Sequence, residues 1–198
     1  MKNVRYFKLT MLQASLFTAT LFGIASVSYG QKTNDTKANA KEQNETKFGN
    51  TNKEKDAKFL VDVAEINLEE IELGQLAQQK SSMADVKELG KMMETSHQKC
   101  MNELKKLAKG KSITIPTSIT DNGKDAYKKL SDLSGASFDK KYCDMMAKGH
   151  KGAITEFEKA SKESGDADIK QFAASTLPEL RKHLEHATTC QAKCEKMK

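Results

Sequence analysis

DVKELGKMMETSHQKCMNELKKL (residues 85–107) decides the fold, because its apolar and soft side chains recur at steps of three and four. That spacing predicts a long amphipathic helix whose buried face packs in a helical bundle. His97 lies in the middle of this face, and Cys100 follows it. A polar group buried there costs about 1–3 kcal/mol unless it finds a partner. Partners of His97 are therefore expected elsewhere in the chain.

The same periodicity predicts three further long helices. One spans residues 57–80, one spans 137–163, and the last follows a turn at Gly165. A connection over 111–136 joins the second helix to the third and contains a short helix near 127–133. The chain is therefore predicted to be all-α: a four-helix bundle with two short links and one long link, arranged either up-down-up-down or with a crossover.

The N-terminal residues predict export. Residues 1–30 combine three basic side chains, an apolar run and small residues before Gln31, which is typical of a secretory signal peptide. The run is too weak for a membrane span, so we expect no transmembrane segment after cleavage and a periplasmic or cell-envelope location. Removing these residues lowers the formal charge from +6 to +3. The basic composition is therefore no argument for nucleic-acid binding.

The next segment is strongly polar. Residues 31–56 are mostly Lys, Asn, Thr, Glu and Gln, with very few apolar side chains. Such a composition buries too little surface to order itself, so it predicts a disordered linker. The bundle domain is then expected to span residues 57–194.

Each predicted long helix carries one potential ligand on its buried face: Glu70, His97, His150 and His183. Counted from hairpin turns at a common end, the histidines agree in height to within roughly 5 Å. Glu70 lies about 7 Å from that level, and Glu94, one turn before His97, offers another carboxylate. Imidazoles and carboxylates at one level predict a transition-metal site for Fe, Zn or Cu. The alternative is a buried polar network whose role is purely structural.

The four cysteines form a second pattern. An even number of cysteines in an exported protein suggests disulfides. Cys143 and Cys190 each lie seven residues from a histidine and are expected to face one another, about 10 Å beyond the histidine level. Cys143–Cys190 is therefore the first predicted disulfide and Cys143–Cys194 the second, with Cys100 unassigned. The alternative is a soft-metal cluster that would suit Cu(I), formed by Cys100, Cys143, Met146, Cys190 and Cys194.

Several runs resemble a known bacterial family. They are EIELGQLA (70–77), DVKELGKMMETSH (85–97), GASFDKKY (135–142), His150 with the following Phe-Glu, and TLPELRKHLEHA (176–187). Together they resemble domain of unknown function 4142, which is grouped with ferritin-like folds and whose members are typically exported. The resemblance carries over onto Glu70, His97, Phe138, Asp139, His150, Leu177, Pro178 and His183. The family usually has an aspartate where this chain has Ser96.

The functional hypothesis is an exported ferritin-like bundle that binds a transition metal in its core. The alternative is a non-catalytic envelope or stress-related binding protein. Ferritin-like di-iron sites use two E-x-x-H motifs, and only Glu94–His97 fits that pattern here. The sequence offers no nucleophile with a base and no phosphate-binding loop, so it gives no indication of an enzyme. The expected classes of partner are an envelope protein, a small ligand or a second copy of the chain.

Overall fold

The computed structural model describes residues 35–196, so the predicted signal peptide lies outside the described residues. Within this range the protein is all-helical, as predicted, and has no strand. The helices are α1 Thr36–Phe48, α2 Asn52–Lys80, α3 Ala84–Gly110, α4 Asp121–Ser131, α5 Gly135–Glu163 and α6 Ala167–Lys196. The short helix expected in the long connection is α4. None of the described helices has the length and apolar character needed to cross a bilayer.

The four long helices form a closed ring of neighbours. α2 packs on α3, α3 on α6, α6 on α5, and α5 on α2. Their apolar faces build two core clusters, one around Leu60 and Phe157 and the other around Met93 and Tyr142. Between these clusters each of α3, α5 and α6 contributes a buried histidine. The apolar layers above and below therefore enclose a polar layer at mid-height.

The long connection crosses the length of the bundle. At one end, Ser82 in the α2–α3 turn donates a 2.7 Å hydrogen bond to Asp139 near the start of α5. At the other end, Lys111 after α3 pairs at 2.6 Å with Asp166 before α6. Residues 111–134 must therefore travel from one end to the other. The crossover topology is the one adopted, and the two hairpin turns lie at opposite ends rather than at the predicted common end.

The predicted disordered linker over residues 31–56 is wrong for the part that the structure describes. Thr36–Phe48 form α1, and α2 begins at Asn52, five residues earlier than expected. The Asp35 carboxylate caps α1 by accepting hydrogen bonds from two backbone amides in its first turn. Good capping and packing against α2 thus order a segment whose composition alone predicts disorder.

Polar contacts fix α1 to the crossing connection. The Asn44 side chain donates to the Thr114 carbonyl at 2.7 Å and accepts from the Thr114 amide at 2.8 Å. The Thr36 hydroxyl donates to the carbonyl of Ser118. These contacts join residues that are 70 to 82 positions apart in sequence, so the apolar periodicity cannot predict them.

Two glycines set the distance between α2 and α3. A Cβ added to Gly74 would lie 2.6 Å from the Gly90 carbonyl oxygen, and one added to Gly90 would lie 2.7 Å from the Gly74 oxygen. Atoms cannot approach so closely, and the obstacle is backbone that has no side-chain freedom to yield. The two helices therefore touch through their main chains at this crossing, one to two turns from His97.

Candidate metal centre

Three histidines from three helices meet in the middle of the bundle. His97 on α3, His150 on α5 and His183 on α6 are each at most 4% exposed. One nitrogen from each ring lies within 4.8 Å of the others, and the ring centroids are 5.1 to 5.6 Å apart. Among residues 35–196 this is the one group of three or more His, Cys, Asp or Glu side chains so closely placed.

The histidines meet because each lies near the middle of a helix of 27 to 30 residues. A residue at mid-helix is at nearly the same height whichever end the counting starts from. The expected common level is therefore reached, although the hairpin turns on which it was based lie at opposite ends. The common height of the histidines thus follows from helix length and from their central position in each helix. It does not depend on where the turns lie.

Asn67 fixes the His97 ring. The Asn67 amide nitrogen donates to the Cys100 sulfur at 3.5 Å, which directs its oxygen towards His97. That oxygen lies 2.8 Å from His97 Nδ1 and accepts its proton. The Nε2 atom of His97 is then unprotonated, and within residues 35–196 no protein group bonds to it. Asn67 was missed in the sequence analysis, because it lies on α2 and reaches His97 only through the packing of α2 against α3.

A backbone carbonyl fixes the His150 ring. His150 Nδ1 lies 2.9 Å from the Met146 oxygen one turn earlier in α5. A carbonyl can only accept, so Nδ1 carries the proton and Nε2 is the unprotonated nitrogen. Nε2 lies 3.1 Å from Nδ1 of His183. The two neighbouring rings thus face each other through nitrogen atoms.

Glu179 lies beside His183, one turn earlier in α6. Its Oε1 atom is 3.3 Å from His183 Nε2 and accepts a 3.1 Å hydrogen bond from the Ser96 hydroxyl. Ser96, where the family usually has aspartate, therefore forms a hydrogen bond with a carboxylate on α6. Sequence reasoning missed Glu179 in this role, because its side chain is 46% exposed and lies off the buried face.

No placement of protons on neutral imidazoles satisfies all three rings. If His183 Nδ1 donates to His150, then His183 Nε2 is an unprotonated nitrogen facing a carboxylate. If His183 Nε2 carries the proton, then two unprotonated nitrogens face each other at 3.1 Å. In both cases His97 Nε2 is also left without a donor. A buried acceptor without a partner costs about 1–3 kcal/mol, so these nitrogens require either a hydrogen-bond donor or a cation in the space between them.

Burial keeps the imidazoles neutral. It holds the pKa of His97 well below the ordinary value of 6.5, and the neighbouring charges of His150 and His183 lower it further. Burial also lowers the pKa of His150, and it lowers the pKa of His183 to about 4. Neutral imidazole is the form that binds metals. The rings are thus available to a metal ion at neutral pH without competition from protons.

The two predicted carboxylates lie elsewhere. Glu94 accepts hydrogen bonds from Gln75 at 2.8 Å and Gln78 at 2.7 Å, on the side of α3 that faces α2. Glu70 is buried, but neither of its oxygens belongs to the close group of ligand atoms. Burial raises the pKa of Glu70 to about 8, so the carboxyl is largely protonated at pH 7. The structure thus brings together the histidines but neither glutamate.

A small cavity connects the histidines to the surface. It measures about 30 Å³ and adjoins His97 and His183, with Asn67, Ser96 and Glu179 in its wall. This volume accommodates about one water-sized group. The partly exposed Glu179 carboxylate marks its outer side, between α3 and α6. The cavity thus has room for a single ion or water beside the ring nitrogens of His97 and His183.

The four cysteines are free thiols. Three of them gather near the N-terminal part of α5 and the end of α6, and Cys143 Sγ lies 3.9 Å from Cys194 Sγ. A disulfide requires about 2.05 Å, so neither the predicted Cys143–Cys190 bond nor the Cys143–Cys194 bond is formed. Cys100 contacts Asn67 beside the histidines, and burial raises its pKa to about 11.

Comparison with known proteins gives one result. A family model described as a domain of unknown function, DUF4142, matches residues 38–190. The chain belongs to the DUF4142 family. No curated protein and no solved structure matches this DUF4142 protein. The match starts inside α1, so the helix that corrects the predicted linker is part of the family domain.

The remaining residues shared with the family pattern have structural places in this DUF4142 protein. Phe138 and Asp139 are fully buried, with Phe138 stacked on Tyr142. Asp139 accepts the hydrogen bond from Ser82 that joins α5 to the α2–α3 turn. Leu177 is buried, and Pro178 lies inside α6 next to Glu179. These residues support the arrangement of the helices that carry the histidines.

Proposed function

We propose that this DUF4142 protein is an exported, ferritin-like four-helix bundle that binds one transition-metal ion through His97, His150 and His183. The observation that carries the proposal is the set of three buried ring nitrogens within 4.8 Å of one another, which no arrangement of protons on neutral imidazoles satisfies. A cation among them would replace each missing hydrogen bond with a coordination bond. The N-terminal charge and hydropathy pattern supports export, and the single crossing connection supports the ferritin-like topology.

The surroundings of the rings resemble those of known metal sites. Metal-binding histidines usually donate their other ring nitrogen to a carbonyl or carboxylate, which fixes the tautomer. Asn67 and the Met146 carbonyl provide these acceptors for His97 and His150, and Glu179 lies beside His183. Nitrogens bonded to Zn²⁺ at 2.0–2.1 Å are about 3.3 Å apart in a tetrahedral site. The 3.1 Å separation of His150 and His183 nitrogens is close to that value.

The donor set indicates which metal is expected. Three neutral imidazoles suit Zn²⁺ or Cu²⁺, whereas di-iron sites in helical bundles use several inward-facing glutamates. Glu94 is held by two glutamines, so the single E-x-x-H motif contributes only its histidine. We therefore expect a mononuclear site for Zn²⁺ or Cu²⁺ in preference to a di-iron centre. The role that we assign to the site is to hold the ion.

The test measures metal in protein purified without chelators or affinity tags. Mass spectrometry is expected to find about one transition-metal ion per chain in the native protein. A variant with His97, His150 and His183 all replaced by Gln should lose that ion while its circular dichroism remains helical. His186→Gln is the matched control, because His186 lies on α6 but is exposed.

Two outcomes would contradict the proposal. The first is native protein without metal whose melting temperature is unchanged by Zn²⁺ or Cu²⁺. The second is a triple variant whose metal content equals that of the native protein. Either result would favour the alternative, in which the histidines form a structural polar core in a non-catalytic envelope protein.

A further inference from the structure

A second group of potential ligands lies at the end of the bundle that contains the α2–α3 turn. Cys143 on α5 is fully buried, and Cys190 and Cys194 on α6 are at most 7% exposed. The Cys194 sulfur lies 3.9 Å from that of Cys143 and 3.6 Å from the thioether sulfur of Met83. The Cys190 sulfur donates to the Asp85 carbonyl at 3.6 Å and also lies next to Cys143. The sulfurs of Met83, Cys194 and Cys143 thus follow one another at contact distance, with Cys190 beside them.

We propose that Met83, Cys143, Cys190 and Cys194 form a second metal site, specific for Cu(I). Soft thiolate and thioether donors select Cu(I), and the group lacks the imidazoles and carboxylates that harder ions prefer. Thioether sulfur is also not among the usual ligands of Zn²⁺. Each thiol that binds exchanges its S–H bond for an S–Cu bond and releases its proton to solvent, with no change of oxidation state.

The spacing of the sulfur atoms fits a coordination sphere. Sulfurs at about 2.3 Å from a metal are about 3.8–4.0 Å apart in tetrahedral or trigonal geometry. The observed separations of 3.9 Å and 3.6 Å are close to these values. A disulfide would require the same atoms to approach to about 2.05 Å. Two of the separations thus match a coordination sphere already. The three thiols are not as close to one another as the histidines are, so Cys190 completes the site by rotating its side chain.

A surface pocket leads to this group. It has a volume of about 260 Å³, and its wall contains Cys190, Asp85, Glu88, Glu185 and Lys193. Three carboxylates and one amine give the pocket a net negative charge, which attracts a cation. Cys190 lies in this wall, one turn before Cys194 on α6. A cation drawn into the pocket would thus meet the group first at Cys190.

The second site is independent of the histidine centre. Cys143 precedes His150 by seven residues, which corresponds to about 10 Å along α5. None of the four sulfur residues lines the cavity beside His97 and His183. The remaining thiol, Cys100, does line that cavity, so it provides a matched control for the chemistry of a cysteine outside the group.

The test uses the full chain, reduced and free of oxygen, with the coloured Cu(I)–bicinchoninate complex as the copper source. Wild-type protein is expected to remove one Cu(I) per chain from the complex. The Cys143→Ser/Cys194→Ser variant should lose this uptake, and Met83→Leu should lose part of it while preserving an apolar side chain. Cys100→Ser and the triple His→Gln variant should retain it, which separates this proposal from the histidine centre.

Several outcomes would overturn the assignment. These are wild-type protein that leaves the coloured complex intact, uptake that survives loss of both cysteines, and uptake abolished by the histidine changes alone. Preferential binding of Zn²⁺ to the same thiols would also contradict it, as would native protein isolated with Cys143 in a disulfide. If the double cysteine variant fails to fold, Met83→Leu decides, because unchanged uptake in that variant removes the thioether from the site.

Discussion

His97 Nδ1 lies 2.8 Å from Asn67 Oδ1, and this contact decides which nitrogen of the ring is available to a metal. The Asn67 amide is itself oriented by its contact with Cys100. Asn67 on α2 thereby orients the His97 ring towards the two histidines of the α5–α6 hairpin. The amide carries no charge, so the ring is oriented without being protonated.

Replacing Asn67 should weaken metal binding without removing a ligand. In Asn67→Ala the His97 ring loses its acceptor and is free to rotate, so metal affinity should fall about 10–100-fold. Isothermal titration with Zn²⁺ measures the change. Gln78→Ala is the control, because its amide lies on the same helix but bonds to Glu94. Equal effects of the two changes would argue against an orienting role for Asn67.

Two glutamates should differ in their effect on the centre. Glu179→Gln removes the carboxylate beside His183 and should lower metal affinity by about 10–100-fold. Glu94→Gln should leave the affinity unchanged, because Glu94 is directed towards α2 and is held by two glutamines. Competition with a chromophoric chelator compares the two variants. A larger loss in Glu94→Gln would restore the ferritin-like E-x-x-H interpretation.

Acid should destabilise the metal-free protein. Unfolded histidines take up protons near pH 6.5, whereas burial lowers the folded pKa of His183 to about 4. Between these values the unfolded chain binds more protons, so stability falls as pH falls. For His183 alone the loss amounts to about 3 kcal/mol. Urea unfolding across this range measures it, and the triple His→Gln variant should show a much smaller loss.

Glu70 should give the opposite dependence. Burial raises its pKa from 4.5 to about 8 in the folded state, so the folded chain retains a proton that the unfolded chain releases. Stability from this residue therefore decreases as pH rises from about 4.5 to about 8. Glu70→Gln should be more stable than wild type at pH 8, by up to about 4 kcal/mol. Glu72→Gln on the same helix is the control, and equal gains would contradict the assignment.

The contact between α2 and α3 is tested by adding one methyl group. Gly74→Ala places a Cβ 2.6 Å from the Gly90 oxygen and should destabilise the protein by about 1–3 kcal/mol. Gly152→Ala is the matched control, since a Cβ there meets nothing within 4 Å. That change should stabilise α5 by up to about 1 kcal/mol through helix propensity. Thermal melts of both variants decide, and a neutral Gly74→Ala would show that the helices can separate at little cost.

The parts of the molecule that sequence predicts well are those that depend on periodicity. The four long helices and the three buried histidines follow from spacings of three and four residues. The partners of those histidines do not. Glu179 is partly exposed, and Asn67 reaches His97 from another helix, so both depend on tertiary distances. The crossover likewise follows only from contacts such as Ser82–Asp139.

Composition was the weaker guide. It predicts disorder for the segment that forms α1, because it measures how much apolar surface a segment can bury. This helix is held instead by a cap and by hydrogen bonds to distant backbone groups. Free thiols in place of the expected disulfides show a similar limit. Sequence spacing can predict that two cysteines lie at the same height in the bundle. A disulfide forms only if their sulfur atoms approach to about 2 Å, which spacing does not predict.

The contact of Asn44 with Thr114 has a practical consequence for the boundaries of the domain. The crossing segment, residues 111–134, links the two hairpins, and α1 is hydrogen-bonded to its first part. A shortened protein starting at residue 57 would keep the four helices of the ring, with α2 shortened by five residues, but would lose these hydrogen bonds. The smallest fragment expected to behave as an independent folding unit therefore starts at Asp35, the N-cap residue of α1.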